Sequence, residues 1–215
     1  MILQIWGGVG GFRNQFMSFT EQGHGFGLIQ HGFVREFLLQ LYAEMAHDCT
    51  RGTWTCFESR GIPDWTPAGG YTTPSQSIVP LHVKWMLVFE EPHTNALTLC
   101  KTCPRSWLQS GELIAVEDAP TSHGRISYNI SSSENTRVHA AVKLDPPPVG
   151  SHAPTPALSS VTLTLRAPWG RIIAGASVGE GVGGMKKVAF DADAESVEVP
   201  VAADGKTVLV EVDYA

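Results

Sequence analysis

Apolar residues in the first part of the chain recur at the spacing of a helix. Phe26, Ile29, Phe33, Phe37, Leu41 and Met45 fall on one stripe, widened by Leu38 and Tyr42. Arg35, Glu36, Gln40, Glu44 and His47 fall mostly off it. The pattern predicts an amphipathic helix over residues 27–48. A second helix has a marked start. Thr73, Pro74 and Gln76 read as N-cap, proline at the first helical position and the glutamine of a capping box. Ile78, Leu81, Trp85 and Phe89, with Val79, Val83 and Met86 beside them, make this helix apolar over a wide arc. It is therefore expected to be buried on more than one side. Pro80 inside the pattern predicts a kink or a late start, and Pro92 marks the stop.

Near residue 95 the period changes to two. Ile126, Tyr128 and Ile130 alternate with polar residues, as do Val138, Ala140, Val142 and Leu144, then Val161, Leu163 and Leu165. Val197, Val199 and Val201 follow, and finally Val208, Val210, Val212 and Tyr214. Asp204-Gly205 between the last two runs signals a hairpin. Further strands are expected near residues 96–102, 113–116, 172–178 and 186–190. Short strands with turns between them predict an antiparallel β-sandwich. Residues 145–156 hold five of the 14 prolines and read as a loop. The fold class expected is α+β: a helical segment over residues 1–95, then a sandwich over 96–215. The second helix lacks an adequate polar face. It is expected to pack either under the sandwich or against helices N-terminal to Met1.

Composition narrows the function. The 215 residues are 43% hydrophobic and 17% charged, which suits a folded chain able to bury a core. A net charge of -6 speaks against a nucleic-acid partner. No run of about 18 apolar residues is present, so no membrane span is expected. The first residues are apolar but lack a basic start, so they do not read as a secretory signal, and the compartment stays open.

Cys49, Cys56, Cys100 and Cys103 are too few to form a disulfide scaffold in a chain this long. Cys100 and Cys103 have C-x-x-C spacing, compatible with half a zinc site or a redox pair. Cys49 and Cys56 are too far apart in sequence to complete a compact zinc set. Ordinary buried or free thiols are the favoured expectation. No cofactor and no metal are expected. A glycosylation triplet at Asn129 to Ser131 lies within an expected strand.

The segment of residues 49–72 carries the candidate chemistry. It is expected to be a long structureless loop, and such loops inside compact domains are often functional. It combines Glu58 and Asp64 with Arg51 and Arg60, and with Trp54, Phe57, Trp65 and Tyr71. Carboxylates perform acid/base work on glycosidic bonds, flat aromatic faces stack on sugar rings, and arginines grip hydroxyls or carboxylates. The combination suits a carbohydrate cleft. The competing reading makes Glu58 and Arg60 an exposed pair and the aromatics plugs that seat the loop. Residues 21–31 are glycine-rich and lead into the first helix, where His24, Gln30 and His31 are placed to line a cleft. The two histidines are too far apart for a shared metal. No nucleophile elbow, phosphate loop, metalloprotease helix or dinucleotide fingerprint occurs.

The order of these segments carries a resemblance. The glycine-rich helix GHGFGLIQHGFVREFLLQLY is followed by the loop TRGTWTCFESR, the helix TTPSQSIVPLHVKWMLVFEE and the stretch LTLCKTCPRSWLQSGELIAVEDAPTSHGRISYNI. This resembles the C-terminal part of six-hairpin, (α/α)6-toroid glycoside-hydrolase-like proteins, whose last barrel helices run into a β-sandwich. The resemblance implies an active site among inter-helix loops. It makes Glu58 the candidate acid or base, with Trp54 and Arg60 as substrate contacts; Asp64 and Trp65 of the same loop, and His24 and Gln30 of the glycine-rich segment, are further candidate contacts from the residues themselves. It implies an oligo- or polysaccharide partner; an extracellular parent protein is compatible with it, but the compartment stays open. Two or three helices are present where a toroid has twelve, so the chain is expected to be a truncated or split member, with weak or no catalysis by itself. The alternative expectation is a non-catalytic glycan-binding or structural sandwich.

Overall fold

The computed structural model describes residues 4–6, 9–12, 15–61, 67–147, 158–168, 170–180, 184–201 and 204–215. The chain forms two compact units, Met1–Met86 and Leu87–Ala215. The α+β class read from the pattern holds: helices lie in the first unit and most strands in the second.

The first unit opens with strands the pattern did not reveal. β1 (Gln4–Trp6), β2 (Val9–Phe12) and β3 (Gln15–Phe16) are joined by β4 (Ser59–Gly61) and β5 (Pro67–Ala68) in one antiparallel sheet, in chain order. The segment of residues 49–72, expected to be structureless, thus contributes two strands to this sheet. These strands are too short to show a period of two.

Three α-helices follow among the described residues, where the pattern placed two. α1 spans Glu21–Gln30, α2 spans Val34–His47 and α3 spans Thr73–Leu87. The predicted helix over residues 27–48 is two helices, and the glycine-rich lead is itself α1. The division is made by Gly32, whose φ of 73° lies in the left-handed region. Gly32 N–H donates to Ile29 O at 3.1 Å and Phe33 N–H to Leu28 O at 2.9 Å, the paired bonds of a Schellman stop. Phe33 therefore leaves the predicted stripe and is 54% exposed. In α2 the buried face is Phe37, Gln40, Leu41, Ala43 and Glu44, so two residues expected off the stripe face inward.

α3 begins as expected, but Gln76 does not close a capping box. Its side-chain amide instead brackets Cys56, accepting from Cys56 N–H at 3.2 Å and donating to Cys56 O. Pro80 lies inside α3. The helix ends at Leu87, so Phe89 belongs to a strand.

In the second unit, a five-stranded sheet contains β6 (Val88–Glu90), β7 (Leu97–Leu99), β11 (Ser160–Thr164), β14 (Phe190–Asp191) and β15 (Ser196–Pro200). A six-stranded sheet contains β8 (Leu113–Thr121), β9 (Gly124–Ser133), β10 (Arg137–Asp145), β12 (Ile173–Glu180), β13 (Lys186–Lys187) and β16 (Val208–Tyr214). Their orders are β14-β15-β11-β7-β6 and β13-β12-β16-β10-β9-β8. The pairings are antiparallel except β7 with β11, which is parallel. Alternate residues are buried, among them Ile126, Tyr128 and Ile130, Val138 to Val142 at every second position, and Val208, Val210 and Val212. Tyr214, on β16, donates its hydroxyl to Leu165 O just beyond β11 at 3.1 Å, tying the two sheets.

Asp204-Gly205 does not join a hairpin. β15 and β16 belong to different sheets, and the segment between them crosses from one to the other. The Asp-Gly pair still makes a turn there, with Gly205 at φ 70°. Most of the proline-rich loop, residues 148–157, lies outside the described residues. No helix among the described residues is long and apolar enough to cross a membrane.

Candidate functional site

The candidate site lies in the first unit, on the chain between α2 and α3. Its start is fixed by a disulfide between Cys49 and Cys56, which corrects the expectation of free thiols. The enclosed turn is held further by hydroxyls: Thr50 Oγ1 lies 2.6 Å from both Thr53 Oγ1 and Thr55 Oγ1. Trp54 sits at the turn with φ 54° and is 58% exposed. The Trp54 ring is thus a surface feature of the cross-linked turn and not part of a core.

Glu58 is half-buried. Its backbone N–H donates to Gly70 O at 2.8 Å, and its carboxylate occupies the space a side chain at Gly69 would fill. Gly69 is thus required both by its φ of 73° and by the carboxylate packed on it. Phe57 and Tyr71 flank this contact and stack with centroids 4.4 Å apart, leaving Tyr71 59% exposed. The Arg60 guanidinium lies 4.6 Å from the Phe57 ring centroid, and its Nε donates to Asp48 O at 3.3 Å. Arg60 therefore secures β4 to the end of α2 as well as bordering the aromatic stack.

The other expected contacts fall elsewhere. His24, on α1, places Nδ1 3.4 Å from Glu21 Oε2. Gln30 is the last residue of α1 and half-buried. Asp64 and Trp65 lie outside the described residues. Glu58, Phe57, Arg60 and Tyr71 are brought together, whereas His24 belongs to a separate polar group.

That group is the feature sequence reasoning missed. Glu21, Gln40, Glu44, Asp48 and His82 are all buried. Gln40 Nε2 donates to Glu21 O at 3.0 Å, and His82 Nδ1 lies 3.5 Å from Glu44 Oε2. The His82 ring packs edge-on against Phe37 at 5.7 Å, and a side chain at Gly25 would collide with it. Burial, reinforced by the charge of Glu21, pushes the Glu44 carboxyl up to about 9. Burial also lowers His82 to about 4. Their contact is consequently a neutral carboxyl beside a neutral imidazole, not an ion pair. Asp48 is raised to about 7, first by burial and then by Glu44, with Arg60 pulling the other way. The Ser18 backbone N–H also draws Asp48 down, whereas the carboxyl oxygens of Glu44 find no hydrogen-bond partner among the described residues.

Such a group can exchange a proton near neutrality, but its full enclosure keeps it from touching a substrate. It supports the loop from behind, because Asp48 also holds Arg60 through its carbonyl. The signal available in the sequence was the i, i+4, i+8 series Gln40, Glu44 and Asp48, running along α2 to the residue that caps its end, opposite a helix whose apolar arc contains His82.

In the second unit Cys100 and Cys103 are buried thiols. Cys100 Sγ lies 3.4 Å from Tyr128 Oη, and burial raises Cys103 well above the ordinary thiol range. That environment suppresses thiolate chemistry. Among the described residues no group of three or more His, Cys, Asp or Glu is arranged to hold a metal ion. No protein-family model matches the chain, and no curated protein matches it.

Proposed function

We propose that this chain is the terminal part of a carbohydrate-active enzyme of the six-hairpin, (α/α)-toroid glycoside-hydrolase-like class: closing barrel helices followed by a β-sandwich. The observation that carries this reading is the half-buried Glu58, seated on Gly69 beside the Phe57–Tyr71 stack on a chain anchored by a disulfide. Glu58 is the acid or base, and exposed Trp54 and Tyr71 are the faces on which sugar rings stack. Arg60 borders the same stack, and its substrate role is shared with its tie to Asp48. The partner is an oligo- or polysaccharide. The disulfide supports work in an oxidising, extracellular setting.

The test is reducing-end release from a panel of polysaccharides by the full native protein and its Glu58→Gln variant. The variant is expected to lose roughly 10²- to 10⁴-fold in turnover while folding normally. Equal turnover in both removes Glu58 from the chemistry.

A second reading, a non-catalytic glycan-binding module, is supported by a cavity on the second unit lined by Gln109, Ser110, Asn135, Pro168 and Arg171. It is separated from the first by binding without reducing-end release.

A further inference from the structure

A cavity of about 330 Å³ opens on the second unit, lined by Gln109, Ser110, Asn135, Pro168 and Arg171. Its volume falls in the range of small-molecule sites, roughly 300–1,000 Å³. The hydrogen bonds around it determine what it offers. Asn135 uses its side-chain oxygen to accept from Ser110 N–H at 2.7 Å, so its amide NH₂ is what remains to donate. Ser110 Oγ accepts from Glu134 N–H at 3.0 Å, which leaves the hydroxyl hydrogen to donate. Arg105, Arg125, Arg137 and Arg166 all pair with carboxylates. Among the described residues Arg171 engages only through its backbone, donating its N–H to Pro168 O at 3.0 Å. Among the described residues no side-chain carboxylate lines the cavity.

The wall beside Pro168 is also held in place. Arg105 grips Glu195 with both terminal nitrogens at 2.6 Å, and Arg166 approaches the same carboxylate at 3.8 Å. Two cations thus share one anion. Arg105 donates as well to Ala167 O at 2.6 Å, and Glu195 accepts from Ala167 N–H at 3.0 Å. The backbone entering Pro168 is therefore fixed before any ligand arrives.

We propose that this cavity binds a small hydroxylated carboxylate of the sugar-acid class, with Arg171 taking the carboxylate and Asn135, Ser110 and Gln109 taking the hydroxyls. A guanidinium fork matches a carboxylate with two parallel bonds, and the surrounding donors exclude a purely apolar guest. The inference rests on the cavity alone and stands apart from the catalytic reading of Glu58.

The test is calorimetric titration of the 215-residue chain with sodium glucuronate, with glucose and acetate as controls, and with a glucuronate-ended oligosaccharide. Glucuronate is expected to bind, more weakly as salt is added, and to outcompete glucose and acetate. The oligosaccharide binding as tightly as glucuronate identifies a glycan end as the source, and much weaker binding identifies the free acid. Arg171→Gln should weaken glucuronate binding about tenfold or more. Asn135→Asp keeps the acceptor for Ser110 N–H but turns a donor into a negative charge, and should do the same. Circular dichroism checks that both variants fold, and Arg171, being exposed, can be replaced without disturbing the core. No glucuronate binding, or equal affinity in the native chain and Arg171→Gln, overturns the proposal.

Discussion

His82 occupies a position on α3 where the apolar arc of the sequence leads one to expect another hydrophobe. It faces Glu44, and Gly25 is a glycine because the imidazole fills the space of its side chain. Gly25→Ala should therefore destabilise the first unit by about 1–3 kcal/mol, although alanine is ordinarily the better helix former. Denaturant melting checks this, and unchanged stability removes His82 from that contact. The acidic neighbours predict an unusual pH profile. Glu44, at about 9, and Asp48, at about 7, keep protons that the unfolded chain releases near its ordinary carboxylate values of 4.5 and 3.8. Their contribution is complete below those values and is lost as pH rises through 7 and 9. His82, lowered from 6.5 to about 4, acts oppositely, because below 6.5 the unfolded chain takes up a proton that the folded chain refuses. Two carboxyls outweigh one histidine, so the first unit should lose stability from mildly acidic pH to pH 9. Glu44→Gln should flatten the limb between pH 7 and 9 in thermal melts. An unchanged limb contradicts the protonated Glu44. Glu58, Trp54 and Arg60 were legible as candidates because polar and aromatic residues crowd one loop. The buried group was not, since desolvation and contact between helices are properties of the fold and leave little trace in a hydrophobic period.

At the scale of elements, the period of two located the strands of the second unit well, because each buries alternate residues on one face. The helical stripe was read less well. Gly32 carried the needed signal, but the stripe positions Ile29 and Phe33 before and after it kept the pattern apparently continuous. Asp204-Gly205 was read as a hairpin because local sequence specifies a turn and not the sheet to which the next strand goes. The strands β1 to β5 leave no period of two because they are so short, and one of their pairings, Phe16 with Arg60, joins segments far apart in sequence. The disulfide was also hidden, since spacing alone does not bring Cys49 and Cys56 into register; the isolated antiparallel bridge between them does. Reducing it should cost about 2–3 kcal/mol, read as a lower melting temperature of the first unit. Thiol titration of the unreduced, denatured chain should find Cys100 and Cys103 alone reactive, and reaction at all four cysteines contradicts the disulfide.

At the scale of the whole molecule, the α+β class follows from the change of period along the chain. Function is less legible, because it depends on side chains that meet only after folding and on chemistry that many folds can carry. The proposed account assigns catalysis to the loop of the first unit and ligand retention to the cavity of the second, so the two are separable by mutation. Glu58→Gln should abolish turnover and leave glucuronate binding intact, while Arg171→Gln should do the reverse. The central claim is that these helices and this sandwich terminate a larger toroid enzyme. The most direct measurement is the size of the native polypeptide in its source, by immunoblot with an antibody to the sandwich. The account predicts a band far above the 23.2 kDa of this chain. A single band at 23.2 kDa would contradict it.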